Sequence, residues 1–219
     1  MRSKLLLALI AVTATAACAR TPSPAPPTPS TPAQSKAMEA PPSPITQGFG
    51  DKNFVLHSDL GYQIGVSNDS IIVPAGFVTD LASVPAPFIQ WLHPNGRHAL
   101  AAIIHDYLYW NQSCTRAEAD GLMRLAMVET RVPDADRAAI FRAVRAGGAA
   151  SWQSNAAERA SGLPRIIPQE YRNVPPVTTW PEYRAELRTA GVPASPGPPV
   201  SREACARGAQ SVQDALTTP

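Results

Sequence analysis

An α+β domain held between two proline-rich flanks is expected from this 219-residue chain, on two grounds. Short β-like runs cluster between residues 53 and 73 and the helical periodicities follow them, so strands precede helices instead of alternating with them around a parallel sheet. The 24 prolines are unevenly placed: nine fall between Pro22 and Pro44, ten between Pro164 and Pro219, and only five in the 119 residues between. The organisation read from this is a small antiparallel β-meander, then a bundle of about three to four helices, then a second disordered flank.

The N-terminus reads as a targeting signal. Arg2 and Lys4 precede the apolar run Leu5 to Val12, and the small residues Thr15-Ala16-Ala17 lead into Cys18, the layout of a signal peptide over residues 1–18. Eight strongly apolar residues are too few to span a bilayer. The placement of Cys18 resembles the lipobox of bacterial lipoproteins, which are cut before a cysteine that then carries the lipid. Thr15 departs from the Leu usual at its position. Ala19, not Asp, follows the cysteine, which for such signals implies sorting to the outer membrane. The expected site is therefore the cell envelope, periplasm-facing and lipid-anchored. Losing Arg2 and Lys4 leaves 17 basic and 17 acidic residues, so the membrane would be held by acyl chains and not by a polybasic patch. The same balance gives a phosphate backbone nothing to recognise, and nucleic acid is excluded as a partner.

Residues 19–46 are Pro, Ser, Thr and Ala with almost no large apolar side chain, a composition that cannot bury a core and favours extended polyproline. At ~3.1 Å per residue, the roughly 26 residues from Ala19 to about Pro44 could reach roughly 80 Å from the anchor. A spacer and a leader of no set length both fit. With Cys18 acylated, Cys114 and Cys205 remain, and in an exported chain they are candidates for one disulfide. In the chain-entropy account so long a loop is worth ~4 to 5 kcal/mol. The alternative is a free Cys205.

The globular domain is expected over 47–153. Asn53 to Leu56, Tyr62 to Val66 and Ser70 to Val73 alternate with turn residues and make the meander. The run Val73 to Pro85 is a loop of fixed shape, with Asp80 and Ser83 able to cap backbone amides. Leu100, Ile103, Ile104, Tyr107 and Leu108 form one apolar stripe on a helix from about Arg97 to Trp110. Thr115 and Glu118 have capping-box spacing and open a second helix that runs to about Thr130. A third starts at Asp134 after Pro133, with Gly147-Gly148 allowing close packing or a break. Residues 154–192 are a C-terminal extension with a short helix that begins around Thr179, Pro181 and Glu182 and stops at Gly191. Residues 193–219 are expected to be a flexible proline-rich tail.

The first helix carries the sharpest constellation. His98, His105 and Tyr109 fall on one line, about 140–180° from Leu100, with Asp106 the next residue round and alanines on the rest of that face. Such a face is not an ordinary solvated surface. Another segment is expected to dock there, and the loop with Asp80 is nearest in sequence.

The stretch Val73 to Pro85, with His105-Asp106-Tyr107-Leu108-Tyr109, Ala119-Asp120 and Ala143-Val144-Arg145, resembles the DUF1353 family of uncharacterised bacterial and phage proteins. The resemblance covers about residues 50–152. Gly147-Gly148-Ala149 and the long flanks depart from the family pattern. It implies a fold and a site but no known activity.

Three chemistries fit these residues. Asp80, His105 and Asp120 could hold a divalent ion, Zn, Mn or Mg, with an open position for water. Against this, adjacent His105 and Asp106 diverge by about 100° on a helix, and the spacing fails the layout of the HD phosphohydrolases. Asp80, His105 and Asp106 could instead serve acid–base catalysis without metal, with Ser83 or Tyr109 as partner, although Ser83 lacks a nucleophile elbow. The third reading is a buried polar network in which His105 donates to Asp80 and Tyr109 closes the set. At the scale of the protein, an envelope module that binds a cell-wall or envelope protein partner stands beside a metal-dependent hydrolase of a cell-wall or periplasmic substrate.

Overall fold

The computed structural model describes residues 46–81, 97–175 and 177–217; Cys18, the linker before Thr46, and Ser83 lie outside them. Strands come first and helices after, so the fold is α+β. The strands are β1 (Thr46–Gly48), β2 (Phe54–Leu56), β3 (Leu60–Gln63), β4 (Ser70–Val73) and β5 (Val78–Thr79). They pair antiparallel as a three-stranded sheet in the order β1-β2-β5 and a separate β3-β4 hairpin. Leu60, Tyr62, Ile71 and Val73 point inward from the hairpin while Gly61, Gln63 and Ile72 face out, the period of two that a half-buried strand requires.

β5 lies inside the run expected as a loop. Only two residues long, it pairs Val78 with Val55 and Thr79 with Phe54. Its other edge meets the C-terminal extension, where the Val78 amide donates to the Arg165 carbonyl and Ile167 donates to Gly76, both at 2.8–2.9 Å.

Helix α1 (Ala99–Asn111) is buried along its whole length, the stripe side and the alanine side alike. Helix α2 (Arg116–Glu129) opens on the expected capping box: Glu118 Oε2 accepts from the Thr115 amide at 2.7 Å and Thr115 Oγ1 from the Glu118 amide at 3.3 Å. Helix α3 (Asp134–Ala160) runs unbroken through Gly147-Gly148 and past the expected domain edge at 153. Gly148 serves close packing, because a Cβ there would collide with the Tyr109 hydroxyl. After a 3-10 turn at Gln169–Tyr171 comes α4 (Trp180–Thr189).

The tail expectation is corrected here. Residues 202–217 form a fifth helix, α5 (Arg202–Thr217), that lies along α2. A Cβ on Gly121 would strike the Gly208 carbonyl and one on Gly208 the Glu118 carbonyl, so the two helices touch backbone to backbone. A disulfide joins Cys114 to Cys205, with Cα atoms 5.4 Å apart. Arg202 pairs with Glu118 at 2.9 Å and Arg207 with Asp69 of the β3-β4 turn at 3.0 Å. Between α4 and α5 a strap from about 192 to 200 crosses the C-terminal half of α1, pinned by the buried Val192 and Val200.

The main core joins α1, α2 and α3 to the hairpin and includes Trp110, Tyr107, Leu108, Leu122 and Met123. A second cluster, Phe49, Val55, Val78, Ile167, Trp180 and Leu187, packs α4 onto the three-stranded sheet. No helix of the described residues is long and apolar enough to cross a membrane.

Candidate functional site

Two acid-centred clusters flank α1, one on each side. Successive helical residues diverge by about 100°, so His105 turns to one cluster and Asp106 to the other.

The first centres on Asp120 of α2, fully buried. Its Oδ1 accepts from the Tyr109 hydroxyl at 2.6 Å and lies 3.0 Å from His105 Nε2. Its Oδ2 faces Arg145 at 3.1 Å and Arg116 at 3.3 Å. Arg116 also reaches the carbonyl of Arg145 at 3.3 Å, which fastens α2 to α3. The His105 and Tyr109 rings lie 4.0 Å apart, and Trp152 meets Tyr109 edge-on at 5.1 Å. Burial alone would raise the Asp120 carboxyl, but hydrogen bonds from His105, Tyr109 and Arg145 outweigh it and hold the group below the usual carboxylate range. Burial and the Asp120 charge push the Tyr109 phenol up.

The second cluster centres on Asp106, also buried. Thr79 of β5 donates to its Oδ2 at 2.5 Å, and the same hydroxyl accepts from the Leu81 amide at 3.1 Å. The half-buried Asp80 shares a hydrogen bond with Asp106, and the Arg165 guanidinium stands near. Arg165 is itself held by the Val78 carbonyl at 2.9 Å and Asn155 at 2.6 Å, and lies over the Phe77 ring. Burial first, then the Asp80 charge, push the Asp106 carboxyl up to about 7. Leu81, next in the chain, has φ 55°, a left-handed conformation that costs a branched residue of order 1–3 kcal/mol.

These positions correct several expectations. The His105 partner is Asp120, not Asp80. The segments docked on the His105 side of α1 are α2 and α3, and the loop with Asp80 meets the Asp106 side. Asp80, His105 and Asp120 thus belong to two clusters and do not converge as metal ligands. Among the described residues, the close-set ligand group is Cys114, Glu118 and Cys205, whose cysteines are tied in the disulfide. The Asp120 cluster does not fit a cation in any case: both carboxylate oxygens are taken, one of them by two guanidinium groups. His57 is exposed, and Trp110 and Trp180 are buried.

Arg116, Thr79 and Arg165 were absent from the expected set. Arg116 stands four residues before Asp120, a spacing that places the two on one helix face. Thr79 precedes Asp80 in the loop motif. Arg165 carries no signal, because it reaches Asp106 from a segment about 60 residues downstream.

Residues 54–144 match the family model DUF1353, described as a protein of unknown function. No curated protein and no solved structure matches the chain. The DUF1353 match holds His105, Asp106, Asp80, Thr79, Arg116 and Asp120, so both acid clusters fall mostly within it. It stops at Val144, one residue before Arg145; the last part of α3, α4, the strap and α5 follow beyond it.

Proposed function

We propose that the chain is a lipid-anchored module of the bacterial envelope that works by binding an envelope partner, with His105, Tyr109 and Asp120 as a structural lock. The observation that carries the second half is the saturation of Asp120. Its two oxygens meet four side-chain donors, and it is fully buried. A group so completely paired has no position left for substrate or ion. The envelope half is supported by the signal-like residues 1–18 and by the Cys114–Cys205 bond, which suits an oxidising compartment.

Expression of the full chain in a bacterial host with an outer membrane tests the anchor. The expected product starts at Cys18, carries the mass of a lipid and sediments with outer membranes, while Cys18→Ala leaves it soluble or unprocessed. A chain that keeps its first 17 residues and stays in the cytoplasm refutes the reading.

One observation favours a second reading. Asp80 and Asp106 are paired carboxyls, with Asp106 pushed up to about 7 by burial and by its neighbour, beside the strained Leu81, an arrangement suited to proton transfer. A hydrolase in this chain would run on that pair and not on His105. Turnover of cell-wall fragments that is abolished by Asp80→Asn in a protein of unchanged melting temperature would favour it over the binding module.

A further inference from the structure

Resting on the binding-module reading, we infer that the C-terminal half of α1 is a recognition groove for proline-rich peptide, filled in this chain by its own strap. Three side chains of α1 point their donors outward along one line. Trp110 Nε1 donates to the Ser195 carbonyl at 2.7 Å. Asn111 Nδ2 donates to the carbonyls of Pro196 and Pro198 at 2.8 and 3.0 Å. The Tyr107 hydroxyl donates to the same Pro198 carbonyl at 2.6 Å.

These contacts differ from core packing in what they read. All of them go to main-chain carbonyls of the strap. The segment Pro193-Ala-Ser-Pro-Gly-Pro-Pro199 has four prolines in seven residues, which lack an amide hydrogen and leave the carbonyls without partners of their own. Aromatic N–H and O–H groups offered to such carbonyls are the general means by which proteins hold proline-rich chains. Two cations stiffen the platform, with the guanidinium groups of Arg159 and Arg184 5.7 and 5.8 Å from the centre of the Trp110 ring.

The groove also selects. Gly197 has φ 77° and lies against the Tyr107 ring, where a Cβ would come within 2.6 Å of the hydroxyl. The recognised sequence therefore needs glycine between its prolines, of the form Ser-Pro-Gly-Pro. The three donors Tyr107, Trp110 and Asn111 lie within the DUF1353 match, whereas the strap and the two arginines that back Trp110 lie beyond it. The strap is tethered at both ends, by α4 and by α5 with its disulfide. Its local concentration is then of millimolar order, enough to keep competing peptides out.

The test uses the full mature chain with residues 193–199 replaced by a glycine–serine segment of equal length, the disulfide kept. A synthetic peptide of residues 192–200 is titrated into it by calorimetry. The expected result is one-to-one binding to the replaced chain and none to the intact one. Affinity should fall at least ~10-fold when Trp110→Phe or Asn111→Ala is added, one hydrogen bond being worth about that factor, and again when the peptide carries Gly197→Ala. A folded replaced chain that ignores the peptide, or that binds the alanine peptide equally well, overturns the inference. If the replacement melts early, a protease site placed at Ala190–Gly191 opens the strap in the natural chain. A labelled peptide should then exchange in, and failure to do so counts equally against the groove. Loss of the lipid anchor would sink the envelope reading without touching this result.

Discussion

Asp120 and Asp106 are two buried acids on either side of one helix, and their surroundings drive them in opposite directions. Asp120 is surrounded by donors and is held below the usual carboxylate range; Asp106 is buried facing another carboxyl and is pushed up to about 7. Asp120→Ala should cost about 3 kcal/mol or more in urea unfolding, because it strands His105 and two guanidinium groups in a site built around a negative charge; a loss under ~1 kcal/mol would mean that the network contributes little. The sign for Asp106 is reversed. Its folded value of about 7 lies above its ordinary 3.8, so the stability it adds is full below about pH 4 and is lost as pH rises through 7. Melting curves from pH 5 to pH 8 should fall more steeply for the natural chain than for Asp106→Asn, which keeps the shape and removes the proton. Parallel curves would refute the assignment. The lowered Asp120 acts the other way, with stability present above its ordinary 3.8 and lost as pH falls below it.

At the level of elements, the crossing of α2 and α5 depends on two glycines. Gly208→Ala should lower the melting temperature by several degrees and raise hydrogen exchange in both helices, whereas alanine at the open Gly61 should do neither. The elements differ in how legible they were. α1 announces itself by a stripe of Leu, Ile and Tyr, and α2 by its Thr115–Glu118 box. α5 hides because its buried face is Ala204, Cys205, Gly208 and Ser211, small residues chosen for close approach, which leave no large apolar period to read. β5 hides because two residues carry no period at all, and its pairing with β2 and Arg165 comes from tertiary contact. The candidate site was legible in its members and not in its pairings. His105, Asp106, Asp80 and Asp120 are all in place, but the about 100° between adjacent residues of α1 decides which acid each one meets.

Across the whole molecule, the extension after residue 144 is part of the body, not an appendage. Arg165 completes the Asp106 cluster, α4 covers the three-stranded sheet, and α5 closes over α2. Opening the disulfide by Cys205→Ser should therefore cost about 2–5 kcal/mol, with exchange protection lost first in α5; unchanged protection there would show that the helix contacts alone hold it. The position of that bond also sets an order of events. A chain that emerges N-terminus first exposes Cys114 with its partner still 91 residues behind. During that interval the glycine face of α2 is bare and its neighbouring thiol is free, the state most open to mixed disulfides and to association between chains. The last helix to arrive is thus the one that ends the vulnerable period, and a chain truncated before it would leave the cysteine permanently reactive.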